Sequence, residues 1–251
     1  MKSLFSKEGL KILESFCFAP TLFAFDYDGT LSKIVRNPSE ARLSKQTAEL
    51  LRRLEKLAPV GVISGRAVKD LTPLLSYRPK YLIGNHGLEG LRASKGSLEN
   101  AKKVCVRWKE EFSVKIRRHS GVSLEDKDFS LALHYRRSRS KAEVRASLLE
   151  SCGELTPSPR IILGKCVINL VPPGAPHKGM ALLELMLECG ARNAFYLGDD
   201  DTDEDVFALP DARLLSVRVG QKRNSSAHYY LERQGDLNRL LRRIIGFLER
   251  E

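Results

Sequence analysis

The chain has 251 residues, of which 42% are hydrophobic and 29% charged, and this composition is typical of a globular protein with a substantial core. Lysine and arginine number 42 against 31 acidic residues, so the net charge is +11. The basic residues are spread out, without an RNP-type aromatic motif or zinc-finger spacing, which argues against a nucleic-acid-binding protein. We expect the surplus either to steer an anionic small molecule or to form a solvated surface.

The cysteines and the N-terminal segment indicate the compartment. The five cysteines are scattered, odd in number and without Cys-x-x-Cys, so we predict buried apolar thiols, no disulfide framework and no zinc site. Lys2 and Lys7 are not followed by a long apolar segment with a small-residue cleavage site, and Pro20 interrupts the apolar run of 16–25. We therefore expect a cytoplasmic protein that does not span a membrane.

The first part of the chain alternates predicted helices and strands. The elements, in order, are a helix at 3–16, a buried strand at 22–25, a helix capped by Ser44 and ended by Pro59, a strand at 60–63, a helix at 67–75 and a strand at 81–83. Polar residues follow each strand. This order is typical of a doubly wound parallel sheet, as in Rossmann-like folds.

The middle of the chain has a different pattern. It predicts an amphipathic helix through 101–112, strands at 122–126 and 129–135, a helix opened by the capping box Ser140-x-x-Glu143, and strands at 160–163 and 166–171. Half-buried strands of this kind favour an antiparallel sheet. We therefore predict a core of residues 1–90 and 173–251, with a smaller α/β domain inserted at 91–172.

The parallel pattern resumes after the insertion. A helix is predicted at 178–189, with Gly190 as its C′ residue, followed by a strand at 194–197, a strand at 214–219 and a closing helix through 237–248. The predicted fold class is α/β, with a parallel-sheet core and an inserted α/β domain.

Two acids, Asp26 and Asp28, directly follow the first buried strand. Ligands of open parallel sheets bind beyond the carboxyl ends of the strands. A pair of carboxylates there favours a hard cation such as Mg²⁺, and an aspartate beside that cation can attack phosphorus. In this interpretation Asp26 is the nucleophile, and Asp28 protonates the leaving alkoxide and then activates water. An acidic loop without such a function is the alternative.

Further polar groups fall at other strand and helix ends. Ser64 follows the second strand and offers a hydroxyl and a backbone N–H to an anion, or it is a helix N-cap. Lys178 neutralises the charge of a phosphate or of the nucleophile, or it is a solvated lysine in a first helical turn. Asp199, Asp200 and Asp203 complete a Mg²⁺ site, or they are acids at a helix N-terminus.

These residues carry a resemblance to a known superfamily. The segments Asp26-x-Asp28-Gly29-Thr30, Ser64-Gly65-Arg66, Lys178 and Gly198-Asp199-Asp200-x-Thr202-Asp203-Glu204-Asp205 resemble the four motifs of haloacid dehalogenase phosphatases. With Gly84-Asn85-His86-Gly87-Leu88-Glu89, the chain more narrowly resembles the trehalose-6-phosphate phosphatase family. The likeness runs in order from about residue 20 to the C-terminus, and the last motif is the most specific.

The resemblance implies a Rossmann-like core, a mobile α/β cap and a set of site residues. It implies Asp26 and Asp28 as the catalytic acids, with Mg²⁺ bound by Asp26, the Asp28 backbone carbonyl and Asp199, and with Asp203 in the outer shell. It assigns the phosphate group to Thr30, Ser64, Gly65 and Lys178. It assigns the sugar to Arg66, Asn85, His86, Glu125, Lys127, Arg136, Lys165 and Asn169, with His134 beside Arg136.

One segment departs from the pattern of that family. After Gly164-Lys165 the family usually reads Val-x-Glu-x-Arg-Pro, whereas this chain has Asn169 and Val171 at the glutamate and arginine positions. An asparagine accepts a hydrogen bond from a sugar hydroxyl, but it adds donors and lacks the charge. Tolerated drift and a shifted sugar preference are both open.

The sequence therefore predicts a monomeric, Mg²⁺-dependent phosphatase with a small-molecule sugar phosphate as partner, and with neither nucleic acid nor membrane. Trehalose 6-phosphate is the expected substrate, hydrolysed to trehalose and phosphate through an aspartyl-phosphate. The alternatives are the same chemistry on another sugar or glycoside phosphate, a phosphomutase or phosphotransferase, and a non-catalytic sugar-phosphate sensor.

Overall fold

The computed structural model describes residues 1–90, 95–116, 119–164 and 166–250. The chain forms two compact units: a core unit, Met1–Leu91 with His177–Glu251, and an inserted unit, Arg92–Pro176. The core unit contains β1 (Lys2–Ser3), α1 (Lys7–Cys17), β2 (Thr21–Phe25), α2 (Lys45–Glu55), β3 (Val60–Ile63), α3 (Val68–Leu71), β4 (Tyr81–Ile83), α6 (Lys178–Cys189), β9 (Asn193–Gly198), α7 (Glu204–Phe207), β10 (Leu214–Val219), β11 (Tyr229–Leu231) and α8 (Leu237–Leu248). The inserted unit contains α4 (Lys95–Lys115), β5 (Ser123–Asp126), β6 (Leu131–His134), α5 (Lys141–Gly153), β7 (Arg160–Gly164) and β8 (Val167–Val171).

The core unit is built on a parallel sheet. Counted over the described residues, it has seven strands in the order β1-β11-β10-β9-β2-β3-β4, and each adjacent pair is parallel. Because the carboxyl ends of parallel strands share one edge, the residues that follow β2, β3 and β9 come together there. The predicted fold class is confirmed.

Helices cover both faces of this sheet. Phe23 and Phe25 of β2 pack on the face that α1, α2 and α8 cover, while Leu22 and Ala24 pack on the face that α6 and α7 cover. All five residues of β2 are buried. A strand buried on both faces has a continuous apolar sequence, which is why β2 could be predicted from the sequence.

The inserted unit has its own sheet and core. Its strands are antiparallel in the order β5-β6-β8-β7. Trp108 of α4, Leu148 of α5, Leu133 of β6 and Ile168 of β8 are buried in one cluster. The two helices therefore cover one face of the sheet, and the side chains that alternate with the apolar ones lie on the other.

Several element boundaries differ from the predictions. The strands β1 and β11 were not predicted, and they are only two and three residues long. The first helix begins at Lys7 because the Ser6 hydroxyl accepts a hydrogen bond from the Gly9 N–H at 3.1 Å. The capping box at Ser140 is absent, since the Ser140 side chain makes no cap hydrogen bond among the described residues.

The cysteines are free thiols, and all five lie within the described ranges. Cys17, Cys105 and Cys152 are buried as predicted, and burial raises the pKa of each thiol to about 12. Cys166 and Cys189 are only half-buried, so the prediction of five buried thiols was wrong for these two. In the described part of the chain, no helix combines the length and the apolarity needed to cross a membrane.

The core of the inserted unit gives a stability prediction. Leu133→Ala should lower the free energy of unfolding of that unit by about 2–5 kcal/mol, because it removes a buried leucine and leaves a cavity. Trp108 is the chain's only tryptophan and lies in the same cluster, so its fluorescence during urea unfolding reports this loss. Val114→Ala, at a side chain that is 65% exposed, is the control and should change the value by less than about 0.5 kcal/mol. Equal midpoints for the two variants would contradict the prediction.

Candidate active site

The first acid after β2 belongs to a buried ion-pair network. Lys178, the first residue of α6, donates from Nζ to Asp26 Oδ1 and to Asp203 Oδ1, each at 2.7 Å. The exposed fractions are 2% for Lys178, 4% for Asp26 and 0% for Asp203. The alternative interpretation of Lys178 as a solvated lysine was therefore wrong.

Burial acts on the charges of Lys178 and Asp26. It tends to lower the pKa of Lys178, but the carboxylates of Asp203 and Asp26 outweigh it and raise that pKa above its ordinary value. Burial also raises the pKa of Asp26, and Lys178 opposes that shift while Asp203 and Asp199 add to it. The Lys178 ammonium alone thus does not offset the buried negative charge. A further positive charge beside Asp26 would favour the carboxylate that a nucleophile requires.

Asp203 accepts hydrogen bonds on both of its oxygens. Oδ1 accepts from Lys178 Nζ and from the Tyr196 hydroxyl at 2.7 Å, and Oδ2 accepts from the backbone N–H groups of Asp199 and Asp200 at 2.9 Å. Four donors use the acceptor capacity of a carboxylate. Asp203 therefore orients Lys178 and the loop after β9, which agrees with an outer-shell position better than with direct metal coordination.

Asp199 points its carboxylate towards the turn after β2. The Thr30 hydroxyl donates to Asp199 Oδ1 at 3.3 Å. Gly29 has a φ of +80°, and a Cβ at that position would overlap the Asp199 carboxylate. Glycine is therefore required both for the left-handed turn and for the close approach of Asp199 to the backbone. Burial, together with the charges of Asp203 and Asp200, raises the pKa of Asp199 to about 7.

Arg218 of β10 fixes the backbone of the same loop. Its guanidinium donates to the Asp200 carbonyl at 3.0 Å, to the Asp199 carbonyl and to Glu204 Oε1 at 3.3 Å. Neither Arg218 nor Tyr196 was predicted from the sequence to belong to the site. A basic residue near the end of the apolar strand Leu214–Val219 was the available signal, because such a residue is rarely buried without a partner.

Three carboxylates of the core unit lie close enough together to attract a cation. Asp26, Asp199 and Asp203 each offer an oxygen, and these oxygens lie within 4.8 Å of one another. With all three ionised and Lys178 protonated, the cluster carries two uncompensated negative charges in a mostly buried place. Oxygen ligands and uncompensated negative charge fit a hard divalent cation such as Mg²⁺.

The second acid after β2 is paired with an arginine. Arg66 donates from Nε to Asp28 Oδ2 and from Nη2 to Asp28 Oδ1, both at 2.6 Å. The Asp28 side chain is 42% exposed and that of Arg66 is 17% exposed, and the guanidinium lies 5.8 Å from the centroid of the Tyr27 ring. This bidentate pair holds Asp28 in a fixed orientation. The assignment of Arg66 to the sugar stays a prediction.

Ser64 lies at the end of β3 and is 1% exposed. Its hydroxyl accepts from the Arg66 N–H at 3.2 Å. Because Ala67 is the N-cap residue of α3, the alternative interpretation of Ser64 as a helix N-cap was wrong. At Gly65 a Cβ would overlap the ring of His86, so glycine is required for this close packing.

The loop after β4 supports the loop after β3. Asn85 and His86 both have φ in the left-handed region, at 49° and 61°. The Asn85 side-chain amide donates to Glu89 Oε2 at 2.9 Å, and the same oxygen accepts from the Val68 N–H at the start of α3, also at 2.9 Å. The described contacts of Asn85 are thus structural. A contact of Asn85 or His86 with a sugar stays a prediction.

The inserted unit carries a polar face opposite its two helices. His134 Nε2 donates to Glu125 Oε2 at 2.6 Å. Lys127 Nζ donates to Asn169 Oδ1 at 3.4 Å, and Asn169 Nδ2 donates to the Ile162 carbonyl at 3.3 Å. Asn169 therefore donates an amide hydrogen to a backbone carbonyl, which a carboxylate could not do. The asparagine that replaces the glutamate of the family pattern thus has a structural role.

Arg136 and Lys165 are the two remaining residues predicted to contact the sugar, and Val171 departs from the family pattern. Arg136 is exposed and follows β6. Lys165 lies outside the described residues. Val171 is buried, and its partner in the register of the sheet is Arg160. An arginine therefore occupies the position across from the valine that departs from the family pattern.

Comparison with known proteins decides the family. A model of the trehalose-phosphatase family matches residues 24–233. The chain belongs to the trehalose-phosphatase family.

The relatives of this trehalose-phosphatase family member include plant and bacterial proteins. The chain is 27% identical over 245 residues to probable trehalose-phosphate phosphatase H of Arabidopsis thaliana, covering 88% of this chain and 70% of that protein. It is 32% identical over 199 residues to trehalose-phosphate phosphatase of Mycobacterium tuberculosis, covering 75% of this chain and 50% of that protein. The chain thus spans only about half to two thirds of the length of several curated relatives.

A solved structure shares the fold of this trehalose-phosphatase family member. The C-terminal domain of C. albicans trehalose-6-phosphate phosphatase superposes with a TM-score of 0.72 at 23% identity, covering 98% of both chains. At this identity the likeness concerns the fold alone.

The raised pKa of Asp199 predicts how the stability of this trehalose-phosphatase family member changes with pH when no cation is bound. In the folded state this pKa is about 7, whereas an unfolded aspartate titrates near about 3.9. The folded state therefore holds a proton that the unfolded state has released. The contribution of this proton to stability is complete below about pH 4 and is lost as pH rises through about 7. Unfolding temperatures in EDTA should fall between pH 5 and 8, and Mg²⁺ should raise them at pH 8.

Two variants isolate the contribution of Asp199. Asp199→Asn should reduce both the fall with pH and the effect of Mg²⁺. Asp201→Asn is the matched control, since that side chain is 60% exposed and pairs with Lys222 at the edge of the same loop. If Asp199→Asn keeps the wild-type response to pH and to Mg²⁺, the role given to this carboxylate is wrong.

Proposed function

We propose that this protein is a Mg²⁺-dependent phosphatase that hydrolyses trehalose 6-phosphate through an aspartyl-phosphate. The observation that carries the proposal is the buried network in which Lys178 joins Asp26 to Asp203, beside Asp199. Phosphoryl transfer needs a nucleophile, a cation and donors for the phosphoryl oxygens at one place. The family match and the names of the relatives support the substrate.

Asp26 is the proposed nucleophile. Its backbone N–H is fixed by the Leu197 carbonyl at 2.8 Å, and Lys178 binds its Oδ1, so Oδ2 is the oxygen left to attack phosphorus. The attack forms an oxygen–phosphorus bond and releases the sugar alkoxide. Water then attacks the phosphorus, which returns the carboxylate and releases inorganic phosphate. Ser64 and Lys178 would supply hydrogen bonds to the phosphoryl oxygens.

Asp26 and Asp199 would hold the cation, together with the backbone carbonyl of Asp28, and Asp203 would remain in the outer shell. The uncompensated negative charge of the carboxylate cluster supports this arrangement. When bound, Mg²⁺ neutralises charge on the phosphoryl oxygens.

Asp28 is the proposed general acid and base. It is two residues from the nucleophile and is half-exposed, so it can reach a leaving group that arrives from solvent. Arg66 orients it through the bidentate pair. Proton transfer from Asp28 to the alkoxide matters most when the leaving group is a poor one, as a sugar is.

The inserted unit is proposed as the cap that selects the sugar. Its polar face presents the Glu125–His134 and Lys127–Asn169 pairs, and Arg136 follows one of these strands. Hydroxyl groups of a sugar would form hydrogen bonds with these side chains in place of the bonds that the side chains make with each other. A wrong sugar leaves polar groups of the site unpaired and is rejected for that reason. Lys165 is proposed for the same role from the sequence alone.

A phosphatase acting on another sugar phosphate is the second candidate. Asn169 favours it, because its amide binds both Lys127 and the Ile162 carbonyl where the family has a carboxylate. A non-catalytic sensor is less well supported, since Asp26, Asp28, Ser64, Lys178 and Asp199 are all retained.

The experiment that tests the proposal is phosphate release from trehalose 6-phosphate, with Mg²⁺ and with EDTA. Glucose 6-phosphate, sucrose 6-phosphate and glucosyl phosphoglycerate serve as competing substrates. We expect Mg²⁺-dependent preference for trehalose 6-phosphate, and a loss of at least about a thousandfold in Asp26→Asn with the fold retained. Asp201→Asn, at an exposed acid of the same region, should keep its activity.

The outcomes of this assay are distinct. Preference for another ester would support the second candidate and would direct attention to Asn169 and Val171. Equal release with EDTA would contradict the role of the cation. Wild-type release by Asp26→Asn would contradict the mechanism, and binding of sugar phosphates without release would support a sensor.

The role of Asp28 gives a separate prediction. Asp28→Asn should slow release from trehalose 6-phosphate by about 10²–10⁴-fold, because the sugar alkoxide then leaves without a proton. Release from p-nitrophenyl phosphate should slow much less, since nitrophenolate needs no proton to leave. Single-turnover rates with both substrates measure the difference. Equal slowing would show that Asp28 acts in some other way.

A further inference from the structure

A cavity in the core unit lies apart from the residues assigned to phosphoryl transfer. It has a volume of about 460 Å³ and lies between the segment that follows β2 and the first turns of α2 and α8. None of the described residues that we place at the reacting phosphate lines it. Its volume is in the range of small-molecule binding sites.

The charges that line this cavity are mainly positive. Lys33 and Arg42 both line it, and neither side chain has a hydrogen-bond or ion-pair partner among the described residues. Glu40 is the acidic residue of the lining, and its Oε1 already accepts from Asn37 Nδ2 at 3.1 Å. The two cations are therefore available to an anion.

Two helix N-termini meet at the same cavity. Ser44, the N-cap residue of α2, and Asn238 of the first turn of α8 both line it. Neither helix has an acidic residue in its first turn. Asp236, the N-cap residue of α8, makes no side-chain cap bond and lies 3.6 Å from Arg233 Nε. Ser44 Oγ accepts from the Thr47 N–H at 3.1 Å and the Asp236 carboxylate stands at the start of α8, so the helix ends add only a small part to the positive potential that Lys33 and Arg42 create.

A buried hydroxyl at the cavity lacks a partner. Ser32 lines the cavity and is 2% exposed, and its Oγ makes no hydrogen bond to any described residue. A buried polar atom normally has a hydrogen-bond partner, which is another protein group, an ordered water or a bound molecule. This observation is independent of the charges and of the helix dipoles.

We propose that this cavity binds the phosphate group of a small molecule. Lys33 and Arg42 neutralise its charge, and the first turns of α2 and α8 face it. Free phosphate and a phosphate ester share the chemistry that these groups recognise. The site is separate from the one at Asp26, and its existence does not depend on turnover at that site.

An occupant of the cavity would contact the segment that carries the catalytic acids. Gln234 lines the cavity, and its Nε2 donates to the Thr30 carbonyl at 3.2 Å and to the Leu31 carbonyl at 3.4 Å. Thr30 in turn donates to Asp199. Binding therefore acts on the turn that positions one of the proposed metal ligands.

The test counts phosphate sites in the 251-residue chain by equilibrium dialysis with radiolabelled inorganic phosphate. We expect two equivalents in the wild-type protein and one in the double variant Lys33→Ala/Arg42→Ala. Phosphate should also slow amide hydrogen exchange in residues 31–44 and 234–238 of the wild type but not of the variant. Circular dichroism and the urea midpoint establish that each variant folds.

A charge-matched control separates this site from general attraction to a basic protein. Lys7→Ala/Lys11→Ala removes two exposed lysines of α1 and should keep both equivalents. Displacement by glucose 6-phosphate then identifies the source of the phosphate group. Stronger displacement from the second site by the ester than by unlabelled phosphate indicates a phosphorylated metabolite, and the reverse order indicates free phosphate.

The proposal is overturned if Lys33→Ala/Arg42→Ala binds as many equivalents of phosphate as the wild-type chain. Equal losses in the two double variants would also overturn it, because binding would then depend on net charge alone. Since none of these readouts requires catalysis, failure here leaves the proposed phosphatase activity untouched.

Discussion

The ammonium group of Lys178 is the contact on which the rest of the core site depends. It joins two buried carboxylates that come from different strand ends, Asp26 after β2 and Asp203 after β9. Removing one partner of a buried ion pair typically costs about 3–5 kcal/mol, because the remaining charge stays buried without compensation. Here removal of the lysine would leave two such charges. The same lysine that stabilises this edge of the sheet therefore also holds the proposed nucleophile in place.

Much of the fold could be predicted because burial dictates the local pattern. The strands β2, β3 and β9 are buried on both faces and read as short apolar runs, and Gly190 marks the end of α6 with a left-handed φ of 69°. The strands β1 and β11 could not be predicted in this way, since they are very short and, within the described ranges, pair with each other and with β10 alone. Their existence depends on contacts between distant parts of the chain.

The site shows a similar division between what the sequence predicts and what it cannot. The acids Asp26 and Asp199 were identifiable because they directly follow buried strands whose carboxyl ends share an edge. Their partners were not, since Tyr196 and Arg218 lie within strands and their contacts depend on which face each side chain occupies. The position of Arg160 across from Val171 likewise depends on the strand register, which no local pattern specifies.

The order of the strands in the sheet has a consequence for synthesis of the chain. β2 lies between β3, which follows it closely, and β9, which follows the whole inserted unit. While a ribosome makes residues 92–176, at rates of roughly 5–20 residues per second, one edge of β2 has no partner for on the order of ten seconds. An unpaired apolar edge can pair with another nascent chain. The strand that ends at the proposed nucleophile thus presents an unpaired edge throughout the synthesis of the inserted unit.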